Sequence, residues 1–293
     1  MTLKFDGRVA LVTGAGKGLG RAYALWLAAR GASLVVNNRV HADRPSSARA
    51  VVAEIQAAGG RAVADEHAVE SEEGGRSMVA AALSNYGRLD ILICNAGITS
   101  PAPYDAFAAA EFRRVMDINF WGSVYPAMAA LGAMRRAGYG RVITTVSTAG
   151  LFGQAQSAYY GASRSALIGF VRSVAIDIEA DRDIRINMIS PAGYTDMARA
   201  HIDRKFEAFM SPAKVAPVVG WLASEHCRRS GLILHAGCGR VRRVQIVGAP
   251  RVEIVDEDMD ACWPALDDMN GAQEFGSSFA AGRSMNPEIY PPS

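Results

Sequence analysis

The stretch Arg8-Val-Ala-Leu-Val-Thr-Gly-Ala-Gly-Lys-Gly-Leu-Gly20 decides the fold of this chain. Residues 9–12 form a continuous apolar run with valine at each end, which predicts a strand buried on both faces. Alternate glycines from Gly14 to Gly20 then lead into residues 21–30, which are rich in strong helix formers. Glycine lets the backbone approach a ligand closely, and a helix start presents free N–H groups. The stretch therefore predicts a phosphate-binding strand–turn–helix unit, with an ordinary glycine-rich turn as the alternative.

The length and composition suit a cytoplasmic globular protein. The 293 residues fit one large α/β domain or two small ones, and half of them are hydrophobic. Because the sequence holds no run of about 18 apolar residues, we expect no membrane partner. The N-terminus shows no hydrophobic region of a signal peptide. The four cysteines lack the paired spacing of zinc ligands or of a disulfide framework, so we expect no metal and a reducing compartment.

Charge is distributed unevenly along the chain. Of the 31 basic and 29 acidic residues, residues 250–293 hold two and nine, which leaves residues 1–249 with a surplus of nine positive charges. A basic body suits an anionic cofactor or substrate, although a solvated surface with an acidic tail explains the same pattern. We predict one domain over residues 1–249 and an acidic C-terminal extension over residues 250–293.

Predicted strands and helices alternate as far as about residue 245. After the first unit, apolar runs predict strands at residues 33–37, 61–65, 90–94, 141–146, 184–189 and 232–235. Helical patterns occupy residues 46–58, 71–86, 106–136 (as one or two helices), 158–178 and 213–224. Strands separated by helices imply right-handed crossovers and a parallel sheet. The predicted fold class is α/β: a Rossmann-type, doubly wound parallel sheet in a single domain with an irregular C-terminal tail.

An ordered series of motifs resembles the short-chain dehydrogenase/reductase family. The motifs are Thr13-Gly14-x-x-x-Gly18-x-Gly20, Asn95-Ala96-Gly97, Asn119, Ser147 and Tyr160. Residues 57–64, 139–143, 215–222 and 231–239 are further similar to the (3R)-hydroxyacyl-CoA dehydrogenase part of peroxisomal multifunctional enzymes type 2 and their bacterial relatives. The chain stops without the hydratase part of those enzymes, and its last residues do not match a peroxisomal address.

The resemblance implies an NAD(P)-dependent oxidoreductase that interconverts a secondary alcohol and a ketone. Its small-molecule substrate is expected to be a hydrophobic, CoA-linked 3-hydroxyacyl group, with a steroid or another hydrophobic alcohol as the alternative. The resemblance also implies a homodimer or homotetramer and no nucleic acid partner. Phe170, Val174 and Ile178 recur every four residues along a predicted helix and suit such an interface, although a stripe of this kind is usually core.

The reaction needs a base for the hydroxyl proton, and a tyrosine serves near neutral pH only with a cation close by. Tyr160 and Arg164 are four residues apart on a predicted helix and so share a face. Tyr159 lacks this register, because position 163 is an uncharged serine. The resemblance assigns proton transfer to Tyr160, polarisation of the substrate oxygen to Ser147, and a supporting backbone and water contact to Asn119. The alternative makes Tyr160 a packed aromatic residue and Ser147 a strand-end cap.

The resemblance also implies a cofactor site. Its expected members are Gly14, Lys17, Gly18, Leu19, Gly20, Asn38, Arg39, His67, Asn95, Ala96, Gly97, Tyr160, Arg164, Pro191 and Gly193.

Three members of this set depart from the family pattern. Arg164 replaces a lysine that holds the ribose hydroxyls. Arginine keeps the charge but does not release a proton, so we expect altered or slower chemistry, or else a cofactor-binding protein with little turnover. Asn38 replaces an aspartate of related enzymes, and Arg39 after it is either a ligand for a 2′-phosphate or a solvated loop residue. His67 replaces an aspartate near the adenine.

Two further groups have open interpretations. Residues 192–211 occupy the place of the family's substrate lid, and we expect either apolar substrate contacts or an ordinary amphipathic helix from Met197, Phe206, Phe209 and Met210. The second group consists of five arginines near the end of the predicted domain, which are expected to contact either a CoA phosphate or a partner subunit. They are Arg228, Arg229, Arg240, Arg242 and Arg243.

Overall fold

The predicted first strand is β1, Val9–Val12, and all four of its residues are buried. In the computed structural model, which describes residues 3–40, 43, 45–181, 183–199, 202–254 and 259–287, β1 lies between two parallel neighbours. The sheet has eight strands in the order β3-β2-β1-β4-β5-β6-β7-β8. The reversal of strand order beside β1 opens a crevice at the carboxyl ends of the strands, the usual ligand site of such sheets.

The elements of the sheet and its helices follow in chain order. They are β1 Val9–Val12, α1 Gly18–Ala28, β2 Ser33–Asn37, α2 Ser47–Ala57, β3 Arg61–Asp65, α3 Glu72–Tyr86, β4 Ile91–Cys94, α4 Ala109–Met116, α5 Gly122–Ala137, β5 Tyr139–Thr145, α6 Thr148–Phe152, α7 Ala158–Asp177, β6 Asp183–Ala192, α8 Asp196–Arg199, α9 Ala216–Ala223, β7 Ile233–Gly237 and β8 Arg240–Val244. A π-helical turn, Asp117–Trp121, joins α4 to α5, so the predicted helical stretch of residues 106–136 is two helices in one nearly continuous run.

Both faces of the sheet are covered by helices. Ala10 and Val12 of β1 belong to a buried cluster that includes residues of α1, α2 and α9. Successive strand residues point to opposite faces, so Val9 and Leu11 lie on the other side. Helices α3, α5 and α7 also pack on the strands. This arrangement confirms the doubly wound α/β fold.

The last strand of the sheet was not predicted. Cys238 and Gly239, the two residues between β7 and β8, have φ of 55° and 75°, which is the conformation of a tight hairpin turn. Four of the five β8 residues are exposed, and three of the five are arginine. A charged edge strand lacks the apolar run by which the inner strands are recognised, and the charges discourage pairing with another sheet.

The chain divides into two compact units, Met1–Arg243 and Val244–Ser293. The described part of the second unit contains β9 Val247–Gly248, α10 Met259–Leu266, β10 Gln273–Glu274 and α11 Ser278–Met285. β9 and β10 pair antiparallel. Among the helices of the described ranges, none is long and apolar enough to cross a bilayer.

Candidate active site

The glycine turn after β1 is shaped by close backbone packing. Gly14 has φ of 60°, and a Cβ added there would lie 2.8 Å from the Cα of Ala96. Gly18, with φ of 55°, begins α1. The first turn of α1, described in full, contains no acidic side chain. No side chain of the first turn therefore neutralises the positive end of the helix dipole, which favours a bound anion.

A hydrogen-bonded clamp joins this turn to the end of β4. The Thr13 hydroxyl accepts from the backbone N–H groups of Asn95 and Ala96 at 3.0 and 3.1 Å. In return, Asn95 Nδ2 donates to the carbonyl oxygens of Thr13 and Gly14 at 3.1 and 3.2 Å. These bonds fix the floor of the crevice, because buried backbone groups are costly to leave unpaired.

The crevice is a cavity of about 930 Å³, at the upper end of the usual range for ligand sites. Most of the residues predicted from sequence line its wall. They are Gly14, Lys17, Gly18, Leu19, Asn38, Arg39, His67, Asn95, Ala96, Gly97, Ser147, Tyr160, Arg164, Pro191 and Gly193.

Two predicted site residues lie behind this wall. Gly20 packs against the turn, where an added Cβ would collide with the carbonyl oxygen of Gly14, so it brings α1 close rather than facing a ligand. Asn119 is fully buried in the π-helical turn. Its Oδ1 accepts from the N–H of Ile98 at 2.8 Å, and its Nδ2 donates to the Ile98 carbonyl and to Ser163 Oγ, both at 2.9 Å. Asn119 therefore connects the chain after β4 to α7 through hydrogen bonds to Ile98 and Ser163.

The two adjacent tyrosines have different surroundings. Tyr160 lines the cavity together with Ser147, which is the N-cap of α6. Ser147 Oγ accepts from the N–H of Ala149 at 3.2 Å, and its own proton can be donated to a ligand. Tyr159 is buried, and its hydroxyl accepts from the N–H of Ala108 at 2.6 Å. The hydroxyl of Tyr159 is thus occupied in supporting the start of α4.

Arg164 is a buried side chain on the cavity wall, with only 2% of its surface exposed. Its Nη1 donates to the carbonyl of Thr145 at 2.9 Å, and its Cζ lies 5.3 Å from the centroid of the Tyr160 ring. An added Cβ at Gly97 would overlap Nη2 of Arg164, so glycine makes room for the guanidinium. The burial excludes a solvated residue on the helix surface, and the charge lies beside Tyr160.

The far end of the cavity is lined by residues that follow β2 and β3. Asn38 Nδ2 donates to Ser47 Oγ at 2.9 Å, and Arg39 Nη1 lies 3.5 Å from Oε1 of Glu70. His67 Nδ1 lies 2.9 Å from Oδ2 of the buried Asp65. Arg39 thus has an acidic neighbour on the cavity wall, and a bound phosphate would have to compete with Glu70 for it.

Several cavity residues carry no motif in the sequence. Thr145, Thr195, Asp196 and His235 line the wall, and His235 Nδ1 lies 2.9 Å from the carbonyl oxygen of Ser190. Thr145 ends β5, and Thr195 and Asp196 follow β6, so their position at the carboxyl end of a parallel strand was the available signal; His235 lies within β7.

Of the residues named for an apolar substrate surface, Met197 and Met210 line the cavity. Phe206 and Phe209 are 44% and 49% exposed and are not part of the cavity wall as described. The methionines therefore form part of the apolar side of the site.

The sequence of residues 8–205 matches the model of the short chain dehydrogenase family. The chain belongs to this family. It is accordingly an oxidoreductase of the short-chain dehydrogenase/reductase class, with NAD(P) as the cofactor.

Similar proteins extend the match beyond the family model. A short-chain type dehydrogenase/reductase of Mycobacterium tuberculosis is 34% identical over 92% of this chain and 97% of its own length. Peroxisomal multifunctional enzyme type 2 of Drosophila melanogaster is 35% identical over 94% of this chain, which spans 48% of that enzyme. The full-length structure of the Drosophila enzyme aligns with a TM-score of 0.81 at 31% identity, covering 96% of this chain and 49% of that one. A 7α-hydroxysteroid dehydrogenase complexed with NADH and 7-oxo glycochenodeoxycholic acid aligns with a TM-score of 0.73 at 32% identity, covering 80% of this chain and 95% of that one.

The residues present fit a dinucleotide. The close approaches at Gly14 and Gly97 leave no space for side chains on the cavity floor. Arg164 Nε and Thr145 Oγ1 are buried polar atoms without a hydrogen-bond partner in the described chain, and both residues line the cavity. Orphaned buried polar groups are costly, so these atoms favour a polar ligand such as a ribose hydroxyl.

Proposed function

We propose that this protein interconverts a secondary alcohol and a ketone on a 3-hydroxyacyl-CoA, through Ser147, Tyr160 and Arg164. The observation that carries the proposal is the position of all three side chains on one cavity wall that also includes the glycine turn of β1. The glycine turn and the Asn95-Ala96-Gly97 segment would hold the dinucleotide, and Arg164 would meet its ribose. When bound, the nicotinamide supplies the acceptor of a hydride in alcohol oxidation and the donor in ketone reduction.

The side chains divide the proton chemistry between them. Ser147 donates a hydrogen bond to the substrate oxygen, because its Oγ already accepts from Ala149 and its proton remains free. Tyr160 takes the hydroxyl proton in the oxidative direction and returns it in the reductive direction. Arg164 favours the negative tyrosinate electrostatically, since its guanidinium lies beside the ring, but it does not relay the proton. Asn119 supports this wall through Ser163 of α7.

The substrate class rests on the apolar part of the cavity and on the relatives. Met197 and Met210 supply adaptable apolar surface, which suits an acyl chain. The Drosophila relative is named a peroxisomal multifunctional enzyme type 2, and a relative from Synechocystis is named a 3-oxoacyl-[acyl-carrier-protein] reductase. A steroid alcohol is the second candidate, because the 7α-hydroxysteroid dehydrogenase shares the fold at 32% identity.

The test measures cofactor binding and turnover together over a panel of 3-hydroxyacyl-CoA and steroid alcohols. We expect dinucleotide binding and the highest kcat/KM with an acyl-CoA. A preference for steroid alcohols would overturn the substrate assignment. Binding without turnover on any member would favour a cofactor-binding protein, which the replacement of the family lysine by Arg164 supports.

Arg39 is expected to favour NADP over NAD. Replacing Arg39 with alanine should weaken NADP binding about tenfold, or about 1.4 kcal/mol, and NAD binding less than twofold, because only NADP offers a 2′-phosphate. The matched variant Glu70→Gln should tighten NADP binding, since Glu70 lies 3.5 Å from Arg39 Nη1. Calorimetric titration of both cofactors checks the prediction, and equal effects on NAD and NADP would show that Arg39 does not contact the 2′ position.

We also propose that the protein is a homodimer or homotetramer. Trp121 and Met128 are 41% and 54% exposed, and with Tyr125, whose ring stacks on Trp121, they follow one face of the helical run into α5. Of the predicted stripe, Phe170 of α7 contacts this surface through Phe120. The centroid of the Phe120 ring lies 6.3 Å from that of Phe170 and 5.1 Å from that of Trp121. Ile178, by contrast, is buried.

Sedimentation at micromolar concentration is expected to show a dimer or tetramer, and Met128→Glu should shift it toward the monomer by placing a charge in an apolar contact. Tyr104→Glu, at a residue that is 93% exposed in the turn before α4, is the control and should leave the distribution unchanged. A monomeric wild-type protein would contradict the proposal.

We also propose that residues 1–249 form one domain, followed by an acidic extension over residues 250–293. Residues 1–249 expressed alone are expected to fold and to unfold cooperatively on heating, and thermal unfolding measures this.

A further inference from the structure

The segment after β6 crosses the first turn of α1 in a defined register. A Cβ added at Gly193 would lie 3.1 Å from Cδ2 of Leu19, and one added at Gly18 would lie 3.2 Å from Cγ2 of Thr195. One residue further along each segment, Lys17 Nζ lies 2.7 Å from Oδ2 of Asp196. Residue numbers rise from 193 to 196 in one segment while they fall from 19 to 17 in the other, so the two segments run antiparallel. The chain after β6 therefore packs against the glycine turn.

Both carboxylate oxygens of Asp196 are occupied. Oδ2 accepts from Lys17, and Oδ1 accepts from Arg199 Nη1 at 2.8 Å. The hydrogen bond from Lys17, followed by the charge of Lys17, holds the pKa of Asp196 below its usual value. Asp196 therefore places a full negative charge next to a helix N-terminus whose own first turn, as described, has no acid.

We propose that Asp196 is a built-in competitor of the cofactor's pyrophosphate for Lys17. The inference rests on the cofactor site of the proposed function. Lys17 and the glycine turn before α1 belong to the wall on which the pyrophosphate is expected. The Asp196 carboxylate forms an ion pair with the same lysine. The side chains of Lys17 and Asp196 are 72% and 54% exposed, so the pair is a weak contact that solvent screens. A pyrophosphate carries more negative charge than one carboxylate and displaces Asp196 from Lys17.

Displacement has a consequence for the substrate side of the cavity. Thr195, Met197 and Arg199 share the short segment with Asp196 and line the cavity. When Lys17 turns to the pyrophosphate, the segment loses its ionic contact with the glycine turn and keeps the contact between Asp196 and Arg199. Cofactor binding and the position of the segment beside the substrate are thereby linked.

A purely supporting role predicts the opposite sign. If Asp196 only holds the segment in a position that helps to bind the cofactor, its neutralisation weakens binding. If Asp196 competes, neutralisation removes both the rival for Lys17 and the repulsion of the phosphates, and binding tightens.

The experiment titrates ADP and adenosine into the full-length protein by calorimetry. Asp196→Asn is expected to tighten ADP binding about three- to fivefold, in the range of a weak surface ion pair, and to change adenosine binding less than about twofold. Asp196→Glu, which keeps the charge, should bind ADP like the wild type. Glu207→Gln makes the same change of charge at a residue that pairs with Arg204 and lies off the cavity wall, and should also bind ADP like the wild type.

Each outcome separates the two proposals. Unchanged or weaker ADP binding by Asp196→Asn, with wild-type binding intact, overturns the competition and leaves the cofactor site standing. Tighter binding of ADP and adenosine alike also overturns it, because the effect then does not depend on phosphate. A wild-type protein that binds neither ADP nor NAD(P) overturns the proposed cofactor site, and the competition with it.

Discussion

Replacing Tyr160 with phenylalanine is expected to lower kcat by about a hundredfold to ten-thousandfold while dinucleotide binding stays within about twofold. The range is the usual contribution of a positioned general acid or base. The substitution removes one hydroxyl from the cavity wall and keeps the ring beside Arg164. Steady-state turnover on the best substrate of the panel, with calorimetric titration of the cofactor, measures the two effects separately.

Tyr159→Phe is the matched control, because it removes the same atom one residue earlier in the same helix. The Tyr159 hydroxyl accepts from the N–H of Ala108 and lies off the cavity wall. Its loss leaves a backbone donor unpaired and should reduce the free energy of unfolding by about 1–3 kcal/mol, with turnover near that of the wild type. Wild-type turnover in Tyr160→Phe, or an equal loss in both variants, would remove Tyr160 from the proposed mechanism.

The local parts of the fold could be predicted because their signals are local. The bounds of β2 and β3 agree with prediction, since each is a short apolar run between turn residues. The helix predicted over residues 46–58 is α2, and its first predicted residue is the N-cap: Ser46 Oγ accepts from the N–H of Arg49 at 3.3 Å. Their spacing of four residues predicts that Tyr160 and Arg164 share one face of a helix. In α7 the two side chains are close, with Arg164 Cζ 5.3 Å from the centroid of the Tyr160 ring.

The parts that escaped prediction depend on contacts between distant segments. Lys17 and Asp196 are 179 positions apart in the sequence, and the residues around each of them do not predict the ion pair. The placement of Asn119 behind the wall depends on the π-helical turn, which turns its amide toward Ile98 and Ser163. Glu70 lies beside Arg39 only because the ends of β2 and β3 meet at one edge of the sheet. A spacing rule within one segment does not contain such information.

The position of Arg164 depends both on local helical spacing and on contacts with distant segments. Helical spacing predicted a cation on the face of Tyr160, and the fold buries that cation between the end of β5 and the chain after β4. A buried guanidinium with one orphaned N–H is costly without a ligand. The residue is therefore more informative about the site than any motif that matches the family.

Replacing Arg164 with methionine is expected to remove most turnover, by about tenfold to a hundredfold. The guanidinium lies beside the Tyr160 ring, and without this cation the negative charge that develops on the tyrosine during proton transfer is less favoured. Arg164→Lys keeps a positive charge and should keep or raise activity. Turnover measured on both variants, with thermal unfolding to verify the fold, separates the effect of charge from that of packing. A wild-type protein that binds cofactor without turnover, and gains activity as Arg164→Lys, would identify the natural protein as a cofactor-binding form of the enzyme. Wild-type rates in Arg164→Met would contradict the tyrosine–arginine mechanism.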